Sequence, residues 1–128
     1  MTTRVVPQLI DQSQGIGYTT GVGASVTQET SKATAVTINA PCGAINTHNA
    51  ELTAGARVTF AVNNSAVTIR DLVVAHVQGN GPGDSSRYRA NVTYSNNGVF
   101  FITLESLAAV PHSDVVNINF AVIKSVVN

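Results

Sequence analysis

Hydrophobic and polar side chains alternate with a period of two along much of this chain. The clearest case is Val115-Val116-Asn117-Ile118-Asn119-Phe120-Ala121-Val122-Ile123-Lys124, where branched or aromatic residues take turns with small polar ones. Such alternation marks a half-buried strand, one face to the core and one to water. Arg57 to Asn63 repeats it, with Val58, Phe60 and Val62 on one face and Arg57, Thr59, Ala61 and Asn63 on the other. Arg87 to Tyr94 does so again, setting Tyr88, Ala90, Val92 and Tyr94 against Arg87, Arg89, Asn91 and Thr93. No segment carries a 3.6-residue stripe with helix caps.

Turn residues punctuate these runs. Asn96-Asn97-Gly98 predicts a type I′ hairpin joining Arg87–Tyr94 to Val99–Glu105, because Asn-Gly tolerates positive φ. Ala24–Thr30 and Ala35–Asn39 read as strands, the second ended by Pro41, and Pro41-Cys42-Gly43 reads as a turn before Gly43–Thr47. Asp71–Gln78 holds Leu72, Val73, Val74, Ala75 and Val77 with little alternation, which predicts a central strand covered on both faces. Gly79 to Ser86, with three glycines and a proline, is the strongest loop. Six to eight strands at this spacing predict an all-β protein, a single antiparallel β-sandwich or jelly-roll-like domain over residues 23–128.

Residues 1–22 read differently. Val5, Val6, Leu9, Ile10, Ile16 and Tyr18 are scattered among Gln, Ser and Gly, a pattern that closes no core. The expectation is an extended N-terminal arm whose apolar side chains, Val5, Val6, Leu9 and Ile10 first, dock on a neighbouring subunit or partner.

Composition sharpens the picture. Charged residues are 11% of the chain, well under the ~25% of ordinary domains, and formal net charge is +0. Nothing in that balance attracts a phosphate backbone, so no nucleic-acid partner is expected, and a surface so poor in charge is weakly protected against self-association. The first ten residues lack the basic start and apolar run of a secretory signal, and no apolar run nears the ~20 residues that span a bilayer. No membrane partner is expected, and synthesis in a cytoplasm is.

Catalytic, cofactor and metal chemistry find no support in the motifs. Gly15-Ile16-Gly17-Tyr18-Thr19-Thr20-Gly21 lacks the spacing and the strand-to-helix setting of a nucleotide fingerprint. His48, His76 and His112 lie on separate segments without a second ligand at short spacing, and Cys42 is the only cysteine. His112-Ser113-Asp114 are neighbours on an extended chain, where adjacent side chains point apart. Arg87 and Arg89 share a strand face and suit an acidic partner or a sugar acid, or else a solvated edge protected by charge.

The string Gly23-Ala24-Ser25-Val26-Thr27-Gln28-Glu29-Thr30-Ser31-Lys32-Ala33-Thr34-Ala35-Val36-Thr37-Ile38-Asn39, the following Pro41-Cys42-Gly43-Ala44-Ile45 and the closing Asn119-Phe120-Ala121-Val122-Ile123-Lys124 resemble a β-domain of tailed-bacteriophage virion proteins. The resemblance spans about Gly21 to Lys124 and implies a structural part of a virion rather than an enzyme. It points to a capsid cement or decoration protein on the capsid surface, made in the host cytoplasm, that stabilises the assembled shell. Its implied partners are itself, as a homotrimer, and the major capsid protein. The alternative is a receptor-binding or fibre-tip module that recognises host surface glycan through loops near Asn80–Arg89, with Tyr88 as a stacking ring beside Arg87 and Arg89.

Overall fold

The computed structural model describes residues 10–11, 15–79 and 84–125. Two four-stranded sheets face one another, and a two-stranded hairpin precedes them. The hairpin pairs β1 (Ile10–Asp11) with β2 (Gly15–Ile16). One sheet has the order β3 (Ala24–Thr27), β5 (Cys42–Asn46), β10 (Asn117–Ile123), β7 (Leu72–Val77). The other runs β4 (Val36–Thr37), β6 (Arg57–Asn63), β9 (Val99–Ser106), β8 (Tyr88–Asn96). The fold is an all-β sandwich.

Alternation builds the core as anticipated. Phe60 and Val62 of β6 pair with Ile102 and Phe100 of β9, and all four turn inward to meet Ile118, Phe120 and Val122 of β10. Phe100 and Phe120 close the gap between sheets, their ring centroids 5.3 Å apart at an interplanar angle of 52°. Tilted aromatic pairs of this kind add about 0.5–1.5 kcal/mol beyond their burial.

Four local expectations change. The sheets are mixed rather than purely antiparallel, because β3 runs parallel to β5 and β4 parallel to β6. Cys42 and Gly43 belong to β5 itself, and β3 passes close to Gly43: a Cβ there would lie 2.3 Å from the Ala24 carbonyl oxygen. Asn97 keeps negative φ and only Gly98 is positive, at 78°, so the hairpin turn is not type I′, which needs both central residues there. Finally, β7 is an edge strand. It turns Val73 inward and leaves Leu72 57% and Val74 46% exposed, so its apolar run reflects an apolar outward face and not double coverage.

A bulge in β8 has the largest consequence for the surface. The β8–β9 register slips between Val92 and Tyr94, leaving Thr93 as the extra residue. Tyr88 and Ala90 stay buried, but Tyr94, expected on the same face, is turned outward and is 55% exposed. It meets Phe101 edge-on, with centroids 5.7 Å apart.

Candidate functional surfaces

The two outward faces of the sandwich differ in kind. On the β3-β5-β10-β7 sheet, the cross-strand register places Asn119 beside Ala44 and His76, Ala121 beside Cys42 and Val74, and Ile123 beside Leu72. With Asn46, Asn117 and Gln78 these outward positions hold no Lys, Arg, Asp or Glu. Side-chain amides bond to one another instead: Asn117 Nδ2 donates to Asn46 Oδ1 at 2.6 Å, and His76 Nε2 lies 3.0 Å from Gln78 Oε1. The apolar corner is formed by Leu72, Val74 and Ile123, all exposed. Its rim is β7, the last strand of this sheet, which carries no inward charge, lysine or proline of the kind that usually blunts such edges.

The opposite face, on β6-β9-β8, is ordered in rows. Glu105 sits between Arg57 and Arg89 and accepts from both, from Arg57 Nε at 2.9 Å and from Arg89 Nη2. These two guanidinium groups hold its carboxyl below the usual carboxylate range. In the next row the Thr103 hydroxyl lies 2.8 Å from that of Thr59 and 3.0 Å from that of Thr93. A third row is Ala61, Phe101 and Tyr94. The arginines, Asn91, Thr93, Thr103 and Glu105 border an open hollow of ≈ 430 Å³.

A third cluster gathers around Asp114. The Tyr88 hydroxyl donates to Asp114 Oδ2 at 2.6 Å, and Arg87 Nη1 reaches the same oxygen at 3.2 Å. Tyr88 above all, and then Arg87, keep the Asp114 carboxyl below its ordinary value against the opposing effect of burial. Burial and the Asp114 hydrogen bond push the Tyr88 phenol up. Behind them Lys32 is only 3% exposed; its Nζ donates to the backbone carbonyls of Asp114, at 2.6 Å, and of His48. Burial pushes the Lys32 ammonium down. Gln28, also buried, gathers the same loops, donating to the carbonyls of Lys32 and Thr34 and accepting from the His48 amide. Lys32, Gln28, Tyr88 and Arg87 thus join separate loops to one another, which marks the cluster as a clasp.

The residues singled out in the sequence are dispersed. Val5, Val6 and Leu9 lie outside the described residues, and Ile10 is placed only as a backbone partner of Ile16 in the β1–β2 hairpin. Tyr18, farther along the arm, donates its hydroxyl to the Val122 carbonyl and so ties that segment to β10. Tyr88 is 5% exposed, so its ring has no free face on which a sugar could stack. Arg87 and Arg89 do not act together, since Arg87 ends a 3₁₀ turn (Ser85–Arg87) and pairs with Asp84 and Asp114, while Arg89 pairs with Glu105. The residues that sequence reasoning passed over are Lys32, Arg57 and Tyr94; Arg57 was legible as an outward strand position, but Tyr94 depends on the bulge.

Among the described residues no group of three or more His, Cys, Asp or Glu side chains is placed to hold a metal ion, and no helix is long and apolar enough to cross a membrane. Comparisons with family models, with curated proteins and with solved structures return no match.

Proposed function

We propose that this chain is a structural virion protein, a cement or decoration protein that binds the assembled capsid of a tailed phage as a homo-oligomer. The observation that carries the assembly half of this reading is the uncharged outward face of the β3-β5-β10-β7 sheet, with Leu72, Val74 and Ile123 exposed at its corner. Desolvating such a face costs less than desolvating a charged one, because no ionised group must give up its water and several side-chain amides already bond to one another. The virion half rests on the resemblance of residues Gly21 to Lys124 to phage β-domains.

Size argues for several copies acting together. Four strands about 4.8 Å apart and about 13 to 23 Å long make a face of roughly 350 Å² in projection. Stable interfaces bury about 800 Å² on each partner. One such contact is therefore weak, and symmetric repetition, in a homotrimer for instance, multiplies it through high effective concentration once the first copy is seated. The major capsid protein supplies the repeated partner surface in this scheme.

Val74→Lys places a charge at the apolar corner of the uncharged face without touching the core. Sedimentation velocity and co-pelleting with shells of the virus that encodes the chain provide the test. The wild-type protein should self-associate and pellet with shells, and the variant should melt normally yet do neither. A wild-type protein that stays monomeric at millimolar concentration and never pellets with shells defeats the proposal.

A further inference from the structure

We infer that the opposite face, on β6-β9-β8, is a binding site for an acidic saccharide, one bearing a carboxylate or a sulfate. Three independent features meet there. Arg57 and Arg89 each spend part of a five-donor guanidinium group on Glu105, and their side chains remain 71% and 64% exposed, so further N–H donors face solvent. Two arginines against one ionised carboxylate leave a local charge of +1, which selects an anion, and the planar fork suits a carboxylate or sulfate.

Beside this row, the Thr59–Thr103–Thr93 hydroxyls form a chain in which each member can act as donor or acceptor. Sugar hydroxyls require partners of that kind. The Asn91 side chain adds an amide at the border of the same hollow.

One row farther, the bulge at Thr93 swings Tyr94 out of the core line. Asn96 Nδ2 donates to the Tyr94 hydroxyl at 3.0 Å and Phe101 meets its ring, so the exposed tyrosine is held in place rather than free to turn. Cross-strand ion pairs and threonine pairs alone would stabilise the sheet without any bulge. Bulges are used to re-aim a side chain, and the side chain re-aimed here is an aromatic one, beside hydroxyls and an unspent pair of guanidinium groups. An acid group on Arg57 and Arg89, ring hydroxyls over the threonines and a sugar face against Tyr94 would use all three rows at once. The assembly face lies on the other side of the sandwich, so this site is free whether or not the chain assembles through it.

The test titrates the purified full chain with a heparin-derived hexasaccharide, a tetragalacturonate and, as neutral control, maltohexaose, followed by ¹⁵N chemical-shift changes. At least one acidic probe should bind with submillimolar affinity, move the amides of residues 57, 89, 94 and 103, and weaken as salt rises. The sulfated and carboxylated arms tell which acid group is preferred. Arg57→Gln, Arg89→Gln and Tyr94→Ala should each reduce affinity about tenfold with an unchanged melt, whereas Arg70→Gln, which removes the same charge from an exposed turn, should leave it within twofold. Absence of binding by both acidic probes at millimolar concentration, equal binding of maltohexaose, or equal losses in Arg70→Gln would overturn the assignment.

Discussion

The Tyr88 hydroxyl donates to the Asp114 carboxylate across 2.6 Å, joining the first residue of β8 to a loop that also carries the carbonyl acceptor of Lys32. Tyr88 is thereby a core residue with a polar tip, anchored at both ends. Tyr88→Phe keeps the ring and removes the donor, leaving Asp114 to Arg87. A loss of about 1.5–3 kcal/mol in urea unfolding is expected, the usual worth of a hydrogen bond to a charged group. An unchanged midpoint would show that water replaces the phenol at no cost.

Lys32 holds two backbone carbonyls that have no other donor of its reach. Lys32→Met retains the buried stem but leaves both acceptors without the ammonium, so a loss of about 1–3 kcal/mol is expected. Hydrogen exchange should rise first at His48–Ala50 and Ser113–Asp114, where the clasp opens.

Gly43 tests the close approach of β3 to β5. An alanine Cβ would fall 2.3 Å from the Ala24 carbonyl oxygen and 2.9 Å from Ile38 Cδ1, so the parallel pair must separate. Gly43→Ala should destabilise the fold by about 1–3 kcal/mol, as overpacking does. Gly55→Ala provides a contrast of a different kind, since nothing lies within 4 Å of the new methyl and only its positive φ of 70° opposes it.

Acid should weaken the protein in a narrow window. Burial alone would raise the Asp71 carboxyl, but hydrogen bonds from Lys124 and from the Thr68 and Ser125 amides outweigh it and hold it below the usual range. Asp114 and Glu105 are lowered as well. Groups depressed in the folded state contribute their stability above the unfolded pKa, near ~4 for carboxylates, and lose it as pH falls through the folded value. The melting temperature should therefore be flat with respect to these groups from pH 7 to 5 and drop below pH 4. Asp71→Asn should melt lower than wild type at pH 6, with the gap narrowing in acid.

How much of this was legible in the sequence depends on where the information resides. The partners β6 and β9 and the final strand β10 were visible because apolar side chains recur with a period of two within each segment, around Phe60, Phe100 and Phe120. The edge position of β7 was not, since Leu72-Val73-Val74-Ala75 reads alike whether its outer face meets another layer or solvent. The outward turn of Tyr94 is a property of two strands of unequal count, β8 against β9, and neither shows it alone. Lys32 escaped notice for a related reason. Its acceptors, at His48 and Asp114, are 16 and 82 residues away, and a lone lysine in Ser31-Lys32-Ala33 ordinarily signals a solvated turn.

The place of β10 has a consequence for how the molecule must come into being. It follows every other described strand in the chain, yet it lies between β5 and β7 and pairs with both. Until Asn117–Ile123 leaves the ribosome, β5 and β7 have no common neighbour and each offers an open row of amides and carbonyls. Completion of that layer thus waits for the last of the described strands, and a chain truncated before residue 117 should be sensitive to protease where the full chain is resistant.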